Sequence, residues 1–285
     1  RTLTNALARV DNGDSIQVFD GTYNESDLLI NKRIKLFGNV IGIGTGVGAG
    51  TGSRPVINGT TPGVDSTIFR IAATNVLIQN FEILVDQQNI LHGIFGKNGG
   101  YNNLEIFDNR IVSAGVNPNI TSICVPFNTY GVRLIGGNGD SITFKRNEIT
   151  PQAITINNCG FGRGIRLLGN HALIGGSPAD SNTIVSLFGV QAGDIRGGKL
   201  TIRHNLFLGG GIEVNAPAAN TGEHLVENNF FDVVLAPLFL AHVEIKNIQN
   251  NGTSLRVNNN VFRGHAFSSI FSTRSRNVFV TNNTF

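Results

Sequence analysis

The chain is 285 residues long, 40% hydrophobic and only 14% charged, with a net charge of +3 and 36 glycines. Patterned apolar content at that level excludes a disordered chain, and so small a net charge, with no basic stripe and no aromatic platform motif, excludes a nucleic-acid binder. No stretch of about 20 apolar residues is present, so no membrane span is expected.

Thr2 to Val10 sets Leu3, Leu7 and Val10 on one face of a short helix, which predicts a cap over residues 1–12. Residues 13–66 read as the first coils of a repeat. They contain the biased segment 38–52, where glycine alternates with small residues. Neither Gly-x-x-x-x-Gly-Lys-Ser/Thr nor a full Gly-x-Gly-x-x-Gly ahead of a helix is present there, so a loop or coil corner is expected rather than a phosphate site.

From residue 67 to 285 a unit recurs around eight asparagines: Asn80, Asn109, Asn147, Asn182, Asn205, Asn229, Asn260 and Asn283, spaced by 29, 38, 35, 23, 24, 31 and 23 residues. Alternating apolar pairs precede most of them, such as Leu104/Ile106, Ile142/Phe144 and Leu255/Val257, and a period of two means strands. Large apolar residues follow two positions after most, ending in Phe207, Phe231, Phe262 and Phe285, which are expected to form one core stack. The shortest step, 23 residues, fits three short strands and three turns. One such coil cannot bury its own apolar face, but coils piled at about 4.8 Å can. The eight asparagines are then expected to form a buried ladder whose amides bond one another and the corner backbone. One domain, 1–285, is expected, with its C-terminal end uncapped.

A second register, Gly-apolar-x, recurs at Gly93, Gly131, Gly164, Gly189 and Gly211, with looser copies at Leu238–Leu240 and Ser269–Phe271. It reads as the first strand of each coil, the segment ending at asparagine as the second, and the apolar pair after it as the third. The outward positions of the first strand would then be Phe95, Arg133, Arg166, Gln191, Glu213 and Phe239, with Arg163, Asp194 and Arg196 close in sequence.

The run Asp14–Glu25, with Ile30-Asn31-Lys32 and Ile34–Gly38 after it, resembles the opening of right-handed parallel β-helix proteins of the pectate-lyase-like fold. Ile174–Ile184 is similar to a coil common in bacterial secreted and surface β-helix repeat proteins. The resemblance implies an all-β, single-stranded, right-handed parallel β-helix of roughly ten coils, placed outside the cell or on its surface. It says little of function, because that scaffold carries enzymes, adhesins and fibre proteins alike.

Two functions fit. The first is an extracellular structural or adhesive solenoid without catalysis, as in a subunit of a surface fibre or filament; a phage tail-spike section, which would predict a trimer, is a separate third reading. The second is a polysaccharide-active enzyme, a uronate lyase or glycoside hydrolase, with Arg133 and Arg166 holding an acidic sugar and Glu213 as base. Against the enzyme stands a surface ladder with exposed ion pairs worth about 0–1 kcal/mol each. The calcium-binding aspartate cluster of pectate lyases and the Asn-Thr-Asp, Asp-Asp and Gly-His-Gly motifs of polygalacturonases are missing. No cofactor is expected, calcium having no motif to hold it, and the six histidines share no metal spacing. Cys124 and Cys159 are 35 residues apart, about one long coil, so a disulfide and two free thiols both fit. Thr281–Phe285 stops in mid-coil, so self-association or a further domain is expected to cover that end.

Overall fold

In a computed structural model of the chain, the described residues are 2–38, 54–59, 65–86, 89–97, 99–114, 129–136, 140–152, 161–169, 171–193, 199–215, 222–233, 241–248, 252–264 and 268–285. The helix Leu3–Arg9 opens the chain; Thr2 caps it, its side chain accepting from Asn5 N, and Leu3 and Leu7 are buried over the first coil. Strands follow in threes. Second strands of successive coils pair into a ten-stranded sheet, and the first and third strands into sheets of nine. Each sheet joins coil to coil in parallel register, as at Leu104↔Ile142 and Ile106↔Phe144. A parallel strand reached through such a crossover winds right-handed, so the molecule is a right-handed parallel β-helix.

Alternation decides what faces inward. In the second-strand sheet one inward column runs Ile78, Ile106, Phe144, Ile174, Ile202, Val226 and Val257. In the third-strand sheet the column Ile57, Ile83, Ile111, Ile149 and Ile184 passes into Phe207, Phe231 and Phe262. The three rings stack at centroid separations of 4.9 Å, and Phe285 extends the stack at 5.4 Å. The glycine of the Gly-apolar motif answers to crowding: a Cβ on Gly131 would lie 2.7 Å from the carbonyl oxygen of Gly164 on the next coil.

At the corner between second and third strands, seven asparagines form a continuous ladder. After the first, each Oδ1 accepts from the backbone N and the Nδ2 of the asparagine one coil before it, as Asn229 Oδ1 does from Asn205 N at 3.0 Å and Nδ2 at 3.1 Å. Each Nδ2 also donates to a second-strand carbonyl, as Asn229 does to Ile202 O at 2.9 Å. The series runs Asn109, Asn147, Asn182, Asn205, Asn229, Asn260 and Asn283.

Asn80 is a correction: it does not belong to the ladder. Phe81 holds that seat, its N–H donating to Asn109 Oδ1 at 3.0 Å. Asn80 lies one position earlier, with φ +64°, in register with Asp108, Arg146, His204, Asn228, Asn259 and Asn282, all between +53° and +58°. The corner and the ladder therefore fall to neighbouring residues. The left-handed corner takes the first, where short polar side chains are tolerated best, and the buried amide takes the second.

A further correction concerns the copy at Leu238–Leu240. The first strand of that coil is Ala241–Lys246, because Val243 and Ile245 are the residues that meet Ile212 and Val214 inside. Glu244 therefore takes the outward seat expected for Phe239. Phe239, Cys124, Cys159, Asp194, Arg196 and residues 39–52 lie outside the described residues.

Candidate functional site

The outward column of the first-strand sheet reads, coil by coil, Leu29, Arg70, Phe95, Arg133, Arg166, Gln191, Glu213, Glu244 and Phe271. A neighbouring column carries Thr67, His92, Tyr130 and Arg163. Three arginines gather where these columns meet, around the buried ring of Tyr130. The Cζ atoms of Arg133, Arg163 and Arg166 lie 5.0, 5.6 and 5.6 Å from its centroid. Arg166 Nη1 donates to the Tyr130 hydroxyl at 2.8 Å.

His92 and Phe95 form the floor on the N-terminal side, stacked at 4.9 Å, and Arg133 Nη1 lies 3.3 Å from His92 Nε2. A guanidinium only donates, so His92 accepts through Nε2. Burial first, and then the charge of Arg133, push its pKa down to about 3 and keep the ring neutral. Burial likewise draws the Arg133 guanidinium below its ordinary value; Tyr130 opposes this, and Arg166 and Arg163 add to it. Arg163 is lowered for the same first reason, with Tyr130 and the field of Glu213 opposing it and Arg166 adding to it.

Among the described residues no carboxylate forms an ion pair with Arg133 or Arg166, and neither Nε–H has a hydrogen-bond partner. Few acids lie near them in sequence. From Gly115 to Gly193 it contains three acids, Asp140, Glu148 and Asp180. Asp140 accepts from Tyr101 N, Glu148 pairs with Arg110, and Asp180 pairs with Arg146. Asp194 and Arg196 lie outside the described residues.

The column changes sign further along. Glu213 is two coils past Arg166, with Gln191 between them; Gln191 Nε2 donates to Glu213 Oε2 at 2.9 Å. Lys246 lies 3.6 Å from Glu213 and 2.9 Å from Glu244. Burial works against the Lys246 charge, but its hydrogen bond to Glu244 and the field of Glu213 outweigh it and hold the ammonium above its usual pKa. Thus Arg133 and Arg166 are brought together, while Glu213 is set about 10 Å along the axis from Arg166 and is already engaged.

Tyr130 and His92 escaped the sequence reading, because the Gly-apolar template starts one residue too late to include them. The signal available was Arg163, which holds the seat before Gly164 that Tyr130 holds before Gly131. No group of three or more histidine, cysteine or acidic residues placed to hold a metal occurs among the described residues, and no helix there is long and apolar enough to cross a membrane.

No family model and no curated protein matches the chain. Among solved structures, a pectin methylesterase in complex with a hexasaccharide is similar over 98% of this chain and 88% of its own, at 12% identity and a TM-score of 0.47. A likeness so distant bears on neither substrate nor reaction.

Proposed function

We propose that this chain is a non-catalytic, adhesive β-solenoid acting outside the cell, which holds an anionic polysaccharide against the arginine face of its first-strand sheet. The observation that carries this reading is the register of Arg133 with Arg166 on adjacent coils, with no carboxylate ion-paired to either among the described residues. Half-buried like charges without a partner weaken a fold, and an anion from outside removes that cost. The enzyme reading has less support, since the carboxylates nearest in the column, Glu213 and Glu244, are tied to Gln191 and Lys246. A base in that state is not free to take a proton from a sugar bound at the arginines.

The test is retention on an immobilised acidic polysaccharide with a salt gradient, for the wild type and for the double variant Arg133→Gln/Arg166→Gln. A charge-assisted hydrogen bond is worth about 1.5–3 kcal/mol, so each arginine is expected to contribute at least about tenfold in affinity. The double variant should elute far earlier, and neither protein should release unsaturated uronate or new reducing ends. Elution of both proteins at one salt concentration would remove the arginine face from the function. Product formation abolished by Glu213→Gln would replace adhesion with catalysis.

A further inference from the structure

We infer that Glu213 is the specificity-determining residue of the arginine face: it turns away a polysaccharide charged at every sugar and admits one whose anionic sugars are flanked by neutral ones. This deepens the anion-binding reading above and rests on it. The first support is the order of side chains along the outward column. Arg133 and Arg166 stand on adjacent coils, the next coil carries Gln191, and the two after it carry Glu213 and Glu244. Coils rise by about 4.8 Å, close to the length of one sugar, so Glu213 stands about 10 Å from Arg166. That is about one screening length at physiological salt, and a partly buried charge is screened less than an exposed one. The Glu213 side chain is only 14% exposed. On the other side of the pair Phe95 is neutral, and Arg70 beyond it is held by Asp27 at 2.9 Å. A chain bound by its middle therefore finds arginines under two sugars and, two coils on, a carboxylate.

The second support is the balance of charge around Glu213. Lys246 lies 2.9 Å from Glu244 and 3.6 Å from Glu213. One ammonium answers one carboxylate, and the shorter contact assigns it to Glu244. The bond from Gln191 Nε2 at 2.9 Å fixes the Glu213 carboxylate in place, but an amide removes none of its charge. Glu213 thus leaves about one negative charge on the column, and an anionic sugar that follows the arginine-bound ones meets it. Its field reaches the arginines as well: burial draws the Arg163 guanidinium down, and Glu213 is among the groups that oppose the fall. Like charges set against each other across an interface suppress the wrong partner, so the carboxylate selects by exclusion while the arginines bind.

The test is titration calorimetry of the intact chain with two oligosaccharides of equal length, each long enough to reach from Phe95 past Glu244. One carries uronate at every sugar; the other carries two adjacent uronates at its centre and neutral sugars on both sides. Wild type is expected to bind the interrupted chain more tightly, and Glu213→Gln should shift the ratio of the two affinities about tenfold toward the uniform chain. Glutamine keeps an acceptor for Gln191 and leaves the contact between Glu244 and Lys246 intact. Glu105→Gln makes the same charge change on the second-strand sheet and should leave the ratio where it was. Tighter binding of the uniform chain by wild type, a ratio unmoved by Glu213→Gln, or one moved equally by Glu105→Gln overturns this inference and leaves an anion-binding face. No binding of either chain, with Arg133→Gln/Arg166→Gln also without effect on polysaccharide retention, overturns the reading it rests on.

Discussion

Asn229→Leu lowers the stability of the solenoid by about 1–3 kcal/mol. The side chain of Asn229 is buried and holds four bonds: its Nδ2 donates to Ile202 O and Asn260 Oδ1, and its Oδ1 accepts from Asn205 N and Asn205 Nδ2. Leucine fills the space and returns none of them. Asn205 Nδ2 keeps Ile174 O and Arg203 O, and the Ile202 carbonyl keeps its place in the strand ladder with the next coil, but the Asn205 N–H is left dry and unpaired. Such a group costs about 1–3 kcal/mol, which gives the figure above. Thr201→Leu, an outward change on the neighbouring coil, should stay within about 0.5 kcal/mol. Urea midpoints of the two variants check the difference. Hydrogen exchange should show the Asn205 amide losing protection first. Equal midpoints would mean that the amide column does not bear on folding.

Phe231→Ala costs about 3–5 kcal/mol. Its ring is fully buried and stacked between Phe207 and Phe262 at 4.9 Å on both sides, with interplanar angles of 10° and 18°. Truncation opens a cavity whose walls are two rigid rings fixed by their own coils, so collapse to fill it is poor. It also removes two aromatic contacts of about 0.5–1.5 kcal/mol each. The adjacent Phe230 points outward, beneath the Arg263 guanidinium at 5.3 Å, and Phe230→Ala should cost about 1 kcal/mol or less. Thermal melts of the pair, one residue apart, read the strand's alternation directly.

The coil plan is legible in the sequence because its two strongest signals are local. Period-two alternation in Leu104/Ile106 or Leu255/Val257 identifies strands, and the repeat of asparagine fixes where they turn. The Asn80 error shows the limit of a one-letter pattern. At Asn228-Asn229, Asn259-Asn260 and Asn282-Asn283 both corner seats are asparagine, so the letter does not say which seat is which. The step to the next inward residue does: it is two from Asn109 to Ile111 and from Phe81 to Ile83, but three from Asn80 to Ile83.

The arginine pair was equally legible, since Gly131-Val132-Arg133 and Gly164-Ile165-Arg166 are one template. Tyr130 was not, because a phenol that organises three cations looks in sequence like any residue before a glycine. Glu244 was missed for a different reason. Its strand, Ala241–Lys246, starts after the apolar triplet Leu238–Leu240, and the Val243/Ile245 match to Ile212/Val214 becomes plain only when coils are laid over one another.

Whether the arginine face truly lacks its counter-charge is tested most directly by the melting temperature of Arg166→Met against wild type at low ionic strength, with and without a sulfated oligosaccharide. Methionine keeps most of the stem and removes the charge. Without ligand the variant should melt at or above the wild type, and only the wild type should gain from the ligand. A variant that melts well below wild type without ligand, and still gains as much when the ligand is added, would mean that the guanidinium is satisfied within the fold and that no anion is held there.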